Sequence, residues 1–283
     1  MGSKKVIAIV GATGAVGREF VGCIESRGIP LASLKLLASA RSAGQKQSFR
    51  GEELTIEELT ADSFNGVDIA LFSAGATSSR AYADKFAAAG AVVIDNSSAF
   101  RNHDDVPLVV SEVNPEAARD RPRGIIANPN CSTAQLVVAL KPLHDRAVIK
   151  RVVVATYQSV SGAGKDAMDE LFNQSRAIFS AGEVKVEKFS KRIAFNVIPH
   201  IGVFLDDGYT KEEWKMVVET KKILDPKIKL TATCVRVPVF ISHSEAVNVE
   251  FEPIRRAVKI NFNNLLYIYI CLRLFFTENN VNF

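Results

Sequence analysis

Lys5-Val6-Ile7-Ala8-Ile9-Val10-Gly11-Ala12-Thr13-Gly14-Ala15-Val16-Gly17 decides how the first half of this chain folds. Its first six residues form a short apolar, β-branched run, which predicts a buried strand. Helical periodicity follows in Phe20, Val21 and Ile24. Between them lies a glycine-rich turn at the mouth of a helix, where unpaired N–H groups and the helix dipole attract phosphate. Glycines in such a turn let the backbone approach a pyrophosphate closely. The spacing is GxxGxxG, a variant of the commoner GxGxxG, and a tight turn without a ligand is the plainer alternative.

The segments that follow extend the same unit. Residues 34–39 read as a second strand, ending in Ala40-Arg41-Ser42-Ala43-Gly44. A site for NAD usually places an acid at this strand end to hold the ribose 2′-hydroxyl. None stands here. Arg41, flanked by Ser39 and Ser42, suits the 2′-phosphate of NADP instead, with a solvated loop arginine as the alternative. Further apolar strands are expected over 67–73 and 92–97, with a helix over 79–89 between them. Strands alternating with helices predict a Rossmann-like, doubly wound parallel sheet of the α/β class. The strand ends Ser73-Ala74-Gly75-Ala76-Thr77 and Asn96-Ser97-Ser98 fall where such sheets bind ligands.

Ile125-Ile126-Ala127-Asn128-Pro129-Asn130-Cys131-Ser132-Thr133-Ala134-Gln135-Leu136 carries the chemistry. It reads as a short strand, a turn set by Pro129 and an amphipathic helix that opens at Cys131. A thiol at a helix N-terminus loses its proton more easily than a free one, and the thiolate is the nucleophile. That position makes Cys131 a candidate for covalent catalysis. The alternative is a small buried hydrophobe. The polar neighbours Asn128, Asn130, Ser132 and Thr133 would be an odd setting for an inert thiol.

The second half supplies other reactive groups. Residues 150–158 predict a strand, and Ser159-Val160-Ser161-Gly162-Ala163-Gly164 a flexible turn before a helix. Residues 231–238 alternate, with Thr231, Thr233, Val235 and Val237 on one face and Ala232, Cys234 and Arg236 on the other. That pattern predicts a half-exposed strand of an antiparallel sheet, with Arg236 projecting from it. Arg236 can grip a carboxylate with two hydrogen bonds, and His243 can move protons near neutral pH. Each has a plainer alternative, a surface ion pair or a solvated loop residue. Residue chemistry alone does not choose His243 over His200.

Composition bounds the rest. The chain has 283 residues, enough for two domains with proper cores. Cys23, Cys131, Cys234 and Cys271 show no CxxC pair and no spacing of a zinc site, so no metal is expected. Residues 6–10 are too short an apolar run for a signal peptide. Free thiols without an export signal fit a reducing compartment and a cytoplasmic location, an organellar form with its leader removed being the other option. Residues 254–283 hold four basic residues and one acid, and so contribute three of the net charge of +4. The basic balance is thus a property of the tail, and no nucleic-acid partner is expected.

Together these residues resemble the aspartate-semialdehyde dehydrogenase family. The resemblance rests on Gly11-Ala-Thr-Gly-Ala-Val-Gly17, Ser39-Ala-Arg-Ser-Ala-Gly44, Asp95-Asn-Ser-Ser-Ala-Phe-Arg101 and Glu112-Val-Asn-Pro115. It continues through Asn128-Pro-Asn-Cys-Ser-Thr133, Thr156-Tyr-Gln158, Ser161-Gly-Ala-Gly164, Glu219-Thr-Lys-Lys222, Arg236-Val-Pro-Val and His243-Ser-Glu. It implies an NADP-binding domain over 1–132 and an α+β substrate and dimerisation domain over 133–252. The implied reaction is NADPH-dependent reductive dephosphorylation of L-aspartyl 4-phosphate to L-aspartate 4-semialdehyde, on the route to lysine, methionine, threonine and isoleucine. Cys131 is implied as the nucleophile that forms a thioester, His243 as the general acid/base, and Gln158 as the residue that orients the acyl-enzyme. Arg236 would hold the substrate α-carboxylate and Glu219 would face its amino group. Arg101, Asn130 and Lys222 would contact the phosphate region. Gly11, Thr13, Gly14, Ala15, Val16, Ser39, Arg41, Ser42, Ser161 and Gly162 would hold NADP. The resemblance also implies a homodimer or homotetramer where the substrate domain assembles. Another acyl-phosphate reductase, such as N-acetyl-γ-glutamyl-phosphate reductase, and a non-catalytic NADP-binding homologue are the competing functions.

The resemblance stops after Glu252. Residues 254–283 contain no Gly, Pro or Asp, but six Asn, four Phe and four Ile. Leu265-Leu266-Tyr267-Ile268-Tyr269-Ile270-Cys271-Leu272-Arg273-Leu274-Phe275-Phe276 is too short to span a bilayer comfortably, and no membrane partner is expected. The abrupt change of composition predicts an aberrant C-terminus over 253–283. The second domain would then be incomplete and would expose an unpaired sheet edge.

Overall fold

The computed structural model describes residues 4–252 and the strand over residues 266–270. The chain divides into two compact units between Pro129 and Asn130. Cys131 falls in the second of these units.

The first unit is built on a seven-stranded sheet. Its strands are β1 (Lys5–Val10), β2 (Leu31–Ala38), β3 (Lys46–Phe49), β4 (Glu52–Glu58), β5 (Ile69–Phe72), β6 (Val92–Asp95) and β7 (Ile125–Ala127), in the order β3-β4-β2-β1-β5-β6-β7. All neighbours pair parallel except β3 and β4. Counting only the parallel strands, the order is 3-2-1-4-5-6, that of dinucleotide-binding sheets. Strand order reverses at β1, so a crevice opens beyond the carboxyl ends of β1 and β5. Helix α1 (Ala15–Ser26) buries Val21 and Ile24. They pack with Ile7, Ile9, Leu36, Phe49 and Ile56 of the sheet. Helix α2 (Gly75–Ala88) follows β5 and buries Phe86 edge-on against Phe72, with ring centroids 5.3 Å apart.

The sheet is not purely parallel, as the sequence predicted, because β3 and β4 form an antiparallel hairpin at its edge. The hairpin turns at Arg50-Gly51, both with positive φ (52° and 81°). Two such residues in a two-residue loop match the twist of the flanking strands. Glycine adopts that region freely, while arginine is strained there. Arg50 is held by its backbone N–H on Glu25 Oε1 and by Nη2 on the Ile29 carbonyl.

The second unit carries a four-stranded mixed sheet in the order β11-β10-β8-β9. Its strands are β8 (Ile149–Gln158), β9 (Lys229–Arg236), β10 (His243–Phe251) and β11 (Leu266–Ile270). Helices α3 (Cys131–His144), α4 (Lys165–Phe179) and α5 (Lys211–Ile223) complete the unit. One sheet face lies under α3 and α5, in a core of Leu136, Leu140, Val152, Val154, Met216, Leu230 and Val247. Strand β9 alternates buried and exposed residues as the sequence predicts. Its pairing differs, since it runs parallel to β8 and only β10 is antiparallel. Arg236 also differs, being 7% exposed because it shares the core face with Ala232 and Cys234.

The open edge expected on this sheet is filled. Strand β11 pairs antiparallel with β10, from Glu245↔Ile270 to Val249↔Leu266. The run Leu-Tyr-Ile-Tyr-Ile consists of residues that favour strands, and the unpaired N–H and C=O row of β10 is a template for them. The rest of the tail lies outside the described residues. Among the described residues, no helix is long and apolar enough to cross a membrane.

Candidate active site and nucleotide cleft

In the first unit the turn after β1 enters α1 with Gly14 as its N-cap, and no side chain caps that end. Gly11 (φ +92°) approaches the loop after β5 so closely that an added Cβ would lie 2.8 Å from the Ala74 backbone nitrogen. A Cβ on Gly17 would lie 2.2 Å from the Gly11 carbonyl oxygen. Both positions therefore demand glycine for steric reasons. A cleft of about 550 Å³ opens beside them, lined by Gly11, Thr13, Gly14, Ser39, Ser78 and Tyr82 among others. Of the cofactor residues expected from the sequence, Gly11, Thr13, Gly14 and Ser39 line it. Ala15 and Val16 are exposed at the start of α1. Arg41 (exposed) and Ser42 (buried) lie in a short 3₁₀ turn just past Ser39. A nucleotide fits this donor set: a glycine cradle, an uncapped helix N-terminus and, next to Ser39, a cation for a 2′-phosphate.

A second knot forms at the ends of β6 and β7. Asp95 is fully buried and accepts from Ser79 Oγ (2.7 Å), Ser97 Oγ (2.8 Å) and the Ser97 N–H (3.0 Å). Arg101 is 7% exposed and donates from Nε to the Asn128 carbonyl (2.8 Å) and from Nη2 to that of Asn96 (3.0 Å). Asn128 Nδ2 donates to Asn96 Oδ1. Arg101 is thus a brace between two loops, whatever else it binds.

In the second unit Cys131 is the first residue of α3 and is exposed, whereas Cys234 is buried and its thiol is pushed up to about 12 by burial. Asn130 caps the helix, and its Oδ1 accepts from the Ser132 and Thr133 N–H groups at 3.0 and 3.3 Å. The Asn130 N–H donates to Glu219 Oε2 at 2.6 Å, and its Nδ2 donates to Glu212 Oε1 at 2.8 Å. Glu219 is 1% and Glu212 7% exposed. Both stand on α5, two helical turns apart on one face. Lys222 is exposed in the last turn of that helix.

Sheet register brings three other expected residues side by side. Gln158 ends β8 and lies opposite Arg236 of β9 and His243 of β10. Gln158 is buried, with Nε2 on Thr156 Oγ1. Arg236 Nη1 donates to the Ser159 carbonyl. Burial pulls the Arg236 guanidinium below its ordinary pKa, while Glu212, Cys131 and Cys234 act in the other direction. His243 Nδ1 accepts the Ser159 N–H at 3.0 Å, which places the proton of the neutral ring on Nε2. Burial is the largest influence on this histidine and, with Arg236, holds its pKa below the usual value. A Cβ on Gly162 would lie 3.5 Å from Nε2, so the glycine leaves room at that atom. Ser161 Oγ reaches Ser159 Oγ at 2.9 Å. These two expected cofactor residues therefore sit beside His243. His200, the other candidate base, stacks its ring on Phe204 at 4.4 Å.

Glu212 and Ser159 are partners of this site that the sequence reading did not single out. A second turn of α3 adds Gln135, beside Glu245 of β10. Burial raises the Glu245 carboxyl to about 8, with the Gln135 amide working against it.

Residues 6–121 match the family described as semialdehyde dehydrogenase, NAD binding domain, and residues 140–264 match semialdehyde dehydrogenase, dimerisation domain. The second match runs past Glu252, where the sequence resemblance was expected to stop. The aspartate-semialdehyde dehydrogenase of Aquifex aeolicus is 58% identical over 250 residues, covering 87% of this chain and 74% of that protein. That of Legionella pneumophila is 52% identical over 248 residues, covering 87% and 72%. A crystal structure of aspartate semialdehyde dehydrogenase II from Vibrio cholerae superposes with a TM-score of 0.87 at 52% identity, covering 89% of this chain and 76% of that one. The same enzyme complexed with ASA gives the same TM-score. The Candida albicans enzyme with NADP gives 0.70 at 27% identity, covering 90% and 74%. The chain belongs to the aspartate-semialdehyde dehydrogenase family.

Proposed function

We propose that the chain catalyses the NADPH-dependent reductive dephosphorylation of L-aspartyl 4-phosphate to L-aspartate 4-semialdehyde, in the route to lysine, methionine, threonine and isoleucine. The observation that carries this reading is the sheet register that sets Gln158 between Arg236 and His243, in the unit whose helix α3 opens at the exposed Cys131. A helix N-terminus and a guanidinium both favour the thiolate. The thiolate attacks the acyl phosphate carbonyl, an S–C bond forms, the C–O bond to phosphate breaks, and inorganic phosphate leaves a thioester. Arg236 pairs with the substrate α-carboxylate, and Glu219 faces its amino group. Arg101 and Lys222 meet the phosphate, and Asn130 frames it. Gln158 holds the thioester carbonyl. His243 presents Nε2–H to the oxygen that gains charge as the carbonyl is reduced, and the C–S bond then breaks to free the aldehyde.

NADPH, when bound, supplies the hydride for that reduction. Gly11, Thr13, Gly14, Ala15 and Val16 would hold its pyrophosphate, Ser39, Arg41 and Ser42 its 2′-phosphate, and Ser161 and Gly162 its nicotinamide end. We assign the first domain to NADP and the second to substrate and to pairing of two copies. The need for a reduced Cys131 fits the cytoplasm.

The test is phosphate-dependent, NADP-linked oxidation of aspartate semialdehyde by the purified chain, with Cys131→Ser as control. NADPH formation that vanishes in the variant supports the assignment. Soluble, folded chain without turnover would leave the family but remove the activity.

A further inference from the structure

We propose that Glu212 is a positioning residue for Cys131, acting through the side-chain amide of Asn130. This rests on Cys131 being the reactive thiol of the function proposed above.

The oxygen and nitrogen ends of an asparagine side chain have nearly the same shape, so packing alone does not choose which end faces the helix. At the start of α3 the choice is decisive. The Ser132 and Thr133 N–H groups need an acceptor, and only the oxygen end supplies one. Glu212 makes the choice, because the atom it sets against the amide is an oxygen, which accepts from Nδ2 and has nothing to donate to Oδ1. Its Oε1 takes Nδ2 at 2.8 Å and thereby turns Oδ1 onto the helix. Burial works against ionisation of Glu212. Lys215, whose Nζ lies 3.0 Å from Oε2, the Asn130 amide and Arg236 outweigh it and hold the group below the usual carboxylate range. Glu219 fixes the other side of the same residue by taking the Asn130 N–H. Asn130 is therefore gripped at backbone and side chain by α5, and Cys131 is the next residue along the chain.

A fold-stabilising role alone would be served more cheaply by apolar packing, since burying a carboxylate at 7% exposure is costly. Placing that carboxylate on the cap of the nucleophile's own helix fixes where the Sγ sits relative to Arg236. The charge of Glu212 is also felt by Arg236 and His243. The test must therefore separate the hydrogen bond from the charge.

The measurement is the rate of alkylation of Cys131 by iodoacetamide as a function of pH, in the full chain, with the modified residue identified by mass spectrometry. It needs no turnover. Glu212→Gln keeps an acceptor and removes the charge, and is expected to react within about twofold of the parent chain. Glu212→Ala removes both. It is expected to react about fivefold more slowly at pH 7, with its profile displaced to higher pH, a loss of the size expected for a helix cap. Glu212→Ala reacting like the parent, or Glu212→Gln as slow as Glu212→Ala, would overturn the proposal. Should Glu212→Ala fail to fold, Asn130→Asp carries the test. It sets two carboxylates face to face and is expected to slow the reaction, and adding Glu212→Gln is expected to restore most of the rate. Absence of that rescue also overturns it. If Cys131 of the parent chain reacts no faster than Cys23, the reading of Cys131 as nucleophile fails first, and that result is distinct from the others.

Discussion

Arg236 and Glu245 show how far burial changes what a single side chain can do. Arg236 is a core-face residue whose Nη1 is committed to the Ser159 carbonyl. Its fork geometry pairs with a carboxylate in a way that an ammonium does not. Arg236→Lys is therefore expected to lower kcat/KM by tenfold to about a hundredfold, the loss of one charge-assisted hydrogen bond, with the thermal midpoint changed little. Steady-state kinetics with aspartate semialdehyde, beside a melting curve, checks this. Glu245 is 6% exposed, and burial raises its carboxyl to about 8, so the folded chain holds it protonated at neutral pH. An unfolded chain ionises it near the ordinary carboxylate value. A pKa raised on folding gives stability that is present below the unfolded value and is lost as pH rises towards 8. Glu245→Gln removes that dependence. Urea unfolding is expected to show the parent losing on the order of a few kcal/mol between pH 5 and pH 8.5 relative to the variant. Equal pH dependence in the two chains would contradict the assignment. Cys131, Arg236 and His243 were legible as candidates because each residue type announces its chemistry. Glu212 was not, because its partner Asn130 lies 82 residues away and nothing local marks the contact.

At the scale of elements, what was legible is what local periodicity writes. Strand β1, the glycine turn and α1 follow from a six-residue apolar run and a 3.6-residue repeat. The start of α3 follows from Pro129 and the polar residues around Cys131. The β3–β4 hairpin was not legible, because Arg50 stands where Asn or Gly would signal a two-residue turn, and β4 buries little besides Ile56. The parallel pairing of β8 with β9 was not legible either, since alternation reports which face is buried and not which strand lies alongside. The turn after β1 yields the sharpest prediction at this scale. Gly11→Ala adds a Cβ at φ +92°, 2.8 Å from the Ala74 nitrogen, and must displace the loop that closes the crevice. NADP affinity, read by titration calorimetry on folded protein, is expected to fall by more than tenfold, whereas Gly22→Ala in mid-α1, where a Cβ meets nothing within 4 Å, is expected to leave it unchanged.

For the whole molecule, the tail bears on integrity more directly than on chemistry. Strand β11 covers the free edge of β10 from Glu245 to Val249, the strand that also begins with His243. A chain ending at Glu252 would bare that row of backbone groups, an invitation to edge-to-edge association. Hydrogen exchange is expected to quicken in β10 between residues 245 and 249 in such a shortened chain, and light scattering to rise. Unchanged exchange would contradict the pairing. Curated relatives that match this chain are covered over about three-quarters of their own length, 74% for that of Aquifex aeolicus. Gln158, Arg236 and His243 fall within residues 140–264, the stretch matched by the dimerisation-domain family.

The proposed chemistry turns on acylation of Cys131. The most direct measurement is to mix the purified chain with L-aspartyl 4-phosphate in the absence of NADPH, quench in acid, and locate any acyl adduct by peptide mass spectrometry while counting released phosphate. The account predicts one aspartyl group on Cys131, one phosphate released per chain at first turnover, and neither in Cys131→Ser. An adduct on another residue, or phosphate release that survives the Cys131→Ser substitution, would contradict it.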